Sequence, residues 1–215
     1  MRTLLTLAAV AVLAMPASAQ MDKDPDKAVA GGGKLPAGWS ARTDRGAAMD
    51  NVKFETMGSG LHVTLGPAVI LYQAADAMTG PFHMVATFNQ TKAPTHAEAY
   101  GLFFAGKDLA GEGQSYTYFL IRKDGKFLVK TRTGAQTANV TAGWTDSDAV
   151  VKEDETGKQS NKLEILVGKD KVTFSVNGKE VHSMPAAAGS TAGIAGLRVN
   201  HNLDLHIAGF GVHKM

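Results

Sequence analysis

The sequence predicts a nearly all-β protein, a two-sheet sandwich of jelly-roll type, on three observations. From Trp39 onward, segments alternating apolar and polar residues recur, and no amphipathic helical repeat of convincing length interrupts them. Two dipeptides, Asp124-Gly125 and Asn177-Gly178, fit tight hairpins, because both readily take the positive φ that a type I′ turn demands. The 24 glycines and low aromatic share (7%) suit a meander of short strands joined by tight turns.

The elements follow in chain order. Residues 1–19 have the form of an export signal: Arg2, an apolar run over 4–15, then Ala17-Ser18-Ala19, the small-x-small pattern that precedes cleavage before Gln20. That run is too short to span a bilayer and no run of about twenty apolar residues follows it. A periplasmic or extracellular location without membrane insertion is therefore expected. With no cysteine there is neither a lipid-anchoring thiol nor a disulfide framework, so the core alone must stabilise the chain. Residues 20–36, with Asp22, Lys23, Asp24, Asp26, Lys27 and Gly31-Gly32-Gly33, are expected to form a flexible leader. One domain, 37–215, follows, since no interior Pro- or Ser-rich linker divides it. The net charge of +2 falls toward neutrality when Arg2 leaves with the signal, which gives no footprint for nucleic acid or an anionic membrane.

Strands are predicted over 52–56, 61–65 with 68–73, 82–90, 100–105, 116–122, 127–133, 149–152, 161–167, 171–176, 179–183, 193–199 and 203–212. The alternation is cleanest late in the chain. Leu163, Ile165 and Val167 oppose Lys162 and Glu164, and Val172, Phe174 and Val176 oppose Lys171, Thr173 and Ser175, so one face is apolar and one wet. So many strands of this kind do not lie in one open sheet, whereas two packed sheets bury both apolar faces. For the earlier hairpin, a two-residue turn at Asp124-Gly125 puts Tyr116, Tyr118, Leu120, Arg122, Phe127, Val129 and Thr131 on one side. Thr117, Phe119, Ile121, Leu128, Lys130 and Arg132 then lie on the other. The first group is taken as the core side, because burying Lys130 and Arg132 unpaired would cost several kcal/mol.

The order "AYGLFFAGKDLAG" (99–111), "YTYFLIRKDGKFLVK" (116–130), "NKLEILVGKDKVTFSVNGKEV" (161–181), "AGIAGLRV" and a closing "LHIAGFGV" resembles the concanavalin A-like lectin/glucanase superfamily. Within it the chain is most similar to laminin-G-like domains and to secreted bacterial domains of the DUF1080, or 3-keto-disaccharide hydrolase-like, type. The resemblance covers about Trp39 to Val212 and implies a convex and a concave sheet, the concave one cradling sugar, with the long hairpin in it. A glycan or cell-surface polysaccharide is the ligand so implied, with a protein partner as the alternative.

Sugar sites join aromatic platforms to planar polar groups that chelate hydroxyls. On that chemistry the expected ligand-binding residues are Phe119, Lys130 and Arg132 on the floor, with Arg198, Asn200 and His201 on the rim; Tyr100, Phe103, Trp144 and Asn202 complete the pool. The rim lies in "GLRVNHNLDLH" (196–206), where Arg198 and Asn200 leave the core together and Asn200-His201-Asn202 form a turn. Trp144, in "TAGWTDSD", serves as a lid or an edge plug.

A retaining glycosidase needs two carboxylates facing each other about 5 Å apart. The Glu-x-Asp-x-x-Glu strand of the superfamily's glucanases is absent, and the DUF1080 strand pattern is replaced by Gly101-Leu102-Phe103 and Ser115-Tyr116-Thr117. Neither a Gly-x-Ser-x-Gly nucleophile nor a phosphate loop is present. A sugar hydrolase would have to use Asp204 or His201. No cofactor is expected; calcium is the one candidate, through the relatives and the "KEDETGK" loop (152–158), although Asn200, Asn202, Asp204 and His206 hold a single carboxylate.

Overall fold

The computed structural model describes residues 26–46, 48–187 and 191–215, so the export-signal segment 1–19 lies outside the described residues. Among the described residues fifteen strands follow one another: β1 (Trp39–Thr43), β2 (Val52–Met57), β3 (Gly60–Leu65), β4 (Val69–Met78), β5 (Phe82–Gln90), β6 (Ala99–Lys107), β7 (Ser115–Arg122), β8 (Lys126–Thr133), β9 (Gln136–Asn139), β10 (Thr145–Asp146), β11 (Gln159–Val167), β12 (Lys171–Val176), β13 (Lys179–Pro185), β14 (Gly193–Val199) and β15 (Asp204–Lys214). The larger sheet runs β1-β4-β14-β6-β7-β8-β10, with β9 also on β8; the smaller runs β13-β12-β11-β5-β15-β3-β2. The chain crosses between them at β1 to β2, β3 to β4, β4 to β5, β5 to β6, β10 to β11, β13 to β14 and β14 to β15. Among the described residues no helix is long and apolar enough to cross a membrane.

Alternation fills the space between the sheets. Phe82, Met84, Ala86 and Phe88 of β5, Leu163, Ile165 and Val167 of β11, and Val172, Phe174 and Val176 of β12 all point inward. They meet Tyr100, Leu102 and Phe104 of β6 and Phe119 and Ile121 of β7; ring centroids lie 5.1 Å apart for Phe88 with Tyr100 and 5.3 Å for Phe119 with Phe174.

The two Gly turns differ. At Asn177-Gly178 both residues have positive φ (51° and 79°) and Val176 pairs with Lys179, the expected two-residue turn. At the other hairpin Arg122 pairs with Lys126, so Lys123, Asp124 and Gly125 form a three-residue loop. Within it only Gly125 has positive φ (85°), and its N–H donates to the Arg122 carbonyl at 3.2 Å. Outside contacts hold this longer loop: Glu153 N–H donates to the Lys123 carbonyl and Ser147 N–H to that of Gly125.

One extra loop residue slips the pairing by one and turns β7 over relative to the sequence expectation. Phe119 and Ile121 join Phe127 and Val129 in the core, while Tyr116, Tyr118 and Leu120 share the outer face with Lys130 and Arg132. β8 lies as its sequence predicts, because its charges could not be buried. β7 lies the other way over from its predicted orientation, because both its faces are apolar.

The described leader residues run beside β2. Gly32 bridges Lys53, accepting from Phe54 N–H at 2.9 Å and donating to the Val52 carbonyl at 3.2 Å. A Cβ on Gly31 would sit 1.9 Å from the Asp50 oxygen, so these glycines permit a close approach of two backbones and cover an edge strand. Gly101 in β6 is equally constrained, for its Cβ would lie 2.0 Å from the Phe119 carbonyl oxygen. Gly101→Ala is expected to cost about 2 kcal/mol or more through overpacking, measured by urea unfolding.

Candidate functional site on the outer face of the larger sheet

Registered pairing lays three rows of side chains across the outer face. One holds Ser40, Tyr72, Gly196, Phe103, Tyr118, Lys130 and Asn139; a second holds Arg42, Ile70, Arg198, Gly101, Leu120 and Leu128; a third holds Tyr116, Arg132 and Thr137. Phe103, Tyr116, Tyr118, Leu120, Ile70 and Leu109 pack into a second apolar cluster, with Tyr72 and Trp144 partly buried against it. Phe103 and Tyr116 rings are 5.0 Å apart, and those of Tyr116 and Tyr118 5.5 Å.

On this aromatic bed lies an ion cluster built from distant parts of the chain. Asp44 follows β1, anchored by its N–H to the Ala68 carbonyl at 3.1 Å. Arg198 grips its carboxylate with both terminal nitrogens, Nη2 donating to Oδ2 at 2.7 Å and Nη1 to Oδ1. Arg198 Nη1 also reaches the Tyr116 hydroxyl at 3.2 Å, and its guanidinium lies 5.5 Å from the Tyr118 ring centre. Arg132 donates through Nη1 to Asp44 Oδ2 at 3.3 Å and through Nε to the Gly134 carbonyl at 2.9 Å. Side-chain exposure is 7% for Arg198, 11% for Arg132 and 28% for Asp44.

Burial works to raise the Asp44 pKa, but the charges and hydrogen bonds of Arg198 and Arg132 outweigh it and hold the carboxyl below its usual value. Burial likewise opposes the Arg198 charge, and Asp44 more than restores it. Burial and the Arg198 charge both push the Lys130 ammonium below its ordinary value. The cluster is fixed and fully charged at neutral pH, which suits binding of hydroxyls or anions by preformed donors.

Of the residues expected from sequence, Lys130, Arg132 and Arg198 come together here. Phe119 does not: it is fully buried between the sheets against Phe127 and Phe174. Tyr100 is also in the core, where burial pushes its phenol well above the usual value. Arg198, expected on an open rim, is buried. Asn200 leaves β14 with its N–H on the Ala99 carbonyl at 2.9 Å. His201 stands at the sheet end, Nδ1 3.2 Å from Asp26 and Nε2 2.9 Å from Glu98, tying the leader to β6. Trp144 lies under Arg122, whose guanidinium is 4.5 Å from its ring centre.

Asp44, Tyr116 and Tyr118 were not among the expected residues. Tyr116 and Tyr118 follow from the corrected register. For Asp44 the only signal was indirect, since an arginine on a largely apolar strand calls for a carboxylate from elsewhere.

Asp204 lies on the smaller sheet, bonded by Thr91, by Lys92 at 3.0 Å, by His62 at 3.1 Å and by Thr64 at 3.2 Å. Burial raises its pKa, while Thr91, Lys92 and His62 lower it further, so the net effect keeps it ionised and unsuited to act as a general acid. In the 152–158 loop, Asp154 Oδ1 accepts from Thr156 and Lys158 backbone N–H and is spent on its own turn. Among the described residues no group of three or more His, Asp or Glu side chains is placed to hold a metal ion.

A cleft of about 250 Å³ opens at the opposite edge, lined by Pro36, Trp39, Leu61, Leu197, Phe210 and, as its largest polar side chain, Gln73. Trp39 and Phe210 close it at 5.3 Å. It lacks the converging charged donors of the outer face.

No family model and no curated protein matches the chain in sequence. Solved structures do match in fold. The carbohydrate-binding module CBM66 of Bacillus subtilis superposes with a TM-score of 0.60 at 11% identity, covering 82% of this chain and 96% of that one. The exoplasmic/lumenal domain of VIP36, bound to Ca2+ and Man3GlcNAc, gives 0.54 at 6% identity, covering 83% and 84%. An alginate lyase gives 0.51 at 11% identity, covering 82% and 94%. The architecture of the chain is thus a two-sheet jelly-roll sandwich of the concanavalin A-like kind.

Proposed function

We propose that the protein is an exported glycan-binding module whose ligand lies on the outer face of the larger sheet. The observation that carries this reading is the Asp44-Arg198-Arg132-Tyr116 network, which holds planar polar groups on an aromatic bed before any ligand arrives. Pre-organised donors reduce the entropy lost on binding, which matters for a ligand as polar and hydrated as a sugar. Two of the similar folds, CBM66 and the VIP36 domain, are a carbohydrate-binding module and a domain bound to Man3GlcNAc, which supports the class of ligand.

Tyr72 on β4 and Lys130 on β8 are half-buried and open to a ligand at the two ends of the bed, and Arg132, with 11% of its side chain exposed, lies on β8 with Lys130. The test is a broad glycan array with the full chain, run with calcium and again with chelator. Saturable binding is expected, weakened about tenfold or more by Arg132→Ala and by Tyr72→Ala, in line with the loss of a central contact. A blank array in both buffers overturns the reading.

A further inference from the structure

The outer face carries more positive charge than its own carboxylate answers. Arg132 and Arg198 share one acid, Asp44, and Lys130 lies near enough to Arg198 to feel its charge. Arg42, at the end of the second row, donates to the Thr43 and Asp44 main-chain carbonyls and brings no counter-charge. Among the described residues the Lys130 ammonium has no hydrogen-bond or ion-pair partner, and Arg132 Nη2 has none either. Lys130 is half-buried and Arg132 keeps 11% of its side chain exposed; they rise from alternate positions of β8, so they share one face about 7 Å apart along the strand.

We infer, resting on the glycan reading above, that the ligand is an anionic saccharide, bearing a carboxylate or a sulfate ester that Lys130 and Arg132 Nη2 bind. A neutral sugar could satisfy hydrogen bonds here but would leave the surplus charge unanswered at a partly desolvated site. An anion completes it. The lowered Lys130 pKa is in keeping with that placement, since burial first and then the Arg198 charge press on the ammonium. Asp44 has a positioning role: by holding Arg198 and one edge of Arg132, it leaves the other edge turned to the ligand.

The test pairs each charged probe with its uncharged twin. Hexasaccharides of galacturonate, mannuronate and hyaluronan are titrated by calorimetry against the full chain beside their methyl esters, and sulfated dextran beside plain dextran. At least one acid is expected to bind about tenfold or more tightly than its neutral twin, with an advantage that shrinks as salt is raised. Whether the carboxylated or the sulfated pair shows it identifies the anion. Lys130→Gln should remove most of that advantage, whereas Lys162→Gln, the same charge change on the smaller sheet where Lys162 pairs with Glu164 at 3.0 Å, should not.

Equal or tighter binding of the neutral twins, or an advantage that Lys130→Gln leaves intact, overturns the proposal. So does failure of every charged probe, and if neutral glycans still bind on the array, the glycan reading survives alone. Near-ultraviolet circular dichroism of Lys130→Gln separates loss of the contact from loss of the fold.

Discussion

Asp44→Asn is expected to lower the unfolding free energy by about 3 kcal/mol at neutral pH. The change keeps the shape of the side chain and removes its charge, leaving the buried Arg198 guanidinium unpaired, and breaking a buried pair on one side typically costs that much. The pH dependence has a definite sign. The folded-state pKa of Asp44 lies below the ordinary value near 3.8, so the stabilisation is complete above about pH 4 and is lost as pH falls through the depressed folded value. Wild type and Asp44→Asn should therefore converge in acid. Replacing both partners, as Asp44→Leu with Arg198→Met, should recover most of the loss, since a well-packed apolar pair avoids the desolvation that the ions suffer. Urea unfolding of Asp44→Asn, of Asp44→Leu and Arg198→Met singly, and of the double, at pH 7 and pH 3, measures all of this. A double variant as unstable as the sum of the singles would show that the ion pair is not the interaction at stake.

Phe119→Ala should be the most damaging single truncation on the long hairpin, costing about 3 to 5 kcal/mol and lowering Tm by roughly 10 °C. The ring is fully buried among Phe127, Phe174 and their neighbours, and its removal leaves a cavity that two hydrogen-bonded sheets cannot close. The measurement also reads the register. Had the turn held two loop residues, Phe119 would face outward, and its loss would weaken ligand binding with little effect on Tm. A large fall in Tm supports the three-residue loop.

The strands were legible because a half-buried strand writes its faces into alternate residues. β11 and β12 show it: lysine, glutamate, threonine and serine alternate with Leu163, Ile165, Phe174 and Val176, and one side alone can enter a core. The Asn177-Gly178 turn was legible for a similar reason, since few other dipeptides take positive φ twice at low cost. β7 was not. Its sequence, Tyr116 to Ile121, is apolar on both faces because one face lies in the inter-sheet core and the other in the outer cluster, so periodicity carried no choice between them.

The candidate site divides in the same way. Lys130, Arg132 and Arg198 could be drawn from the sequence, because a charge in an apolar strand must leave the core or find a partner. The meeting of Arg132 and Arg198 at Asp44 could not, because β1, β14 and β8 are joined into one sheet only through β4, β6 and β7.

The sequence by itself determined the all-β class, most strand positions, one hairpin turn and the cations that cannot lie between the sheets, all through local alternation and backbone preference. Only the tertiary structure decided the length of the Asp124-Gly125 loop, the face of β7 and the partner of Arg198. Loop length was set by hydrogen bonds from Ser147 and Glu153, and the ion cluster by sheet order, both contacts between residues far apart in the chain.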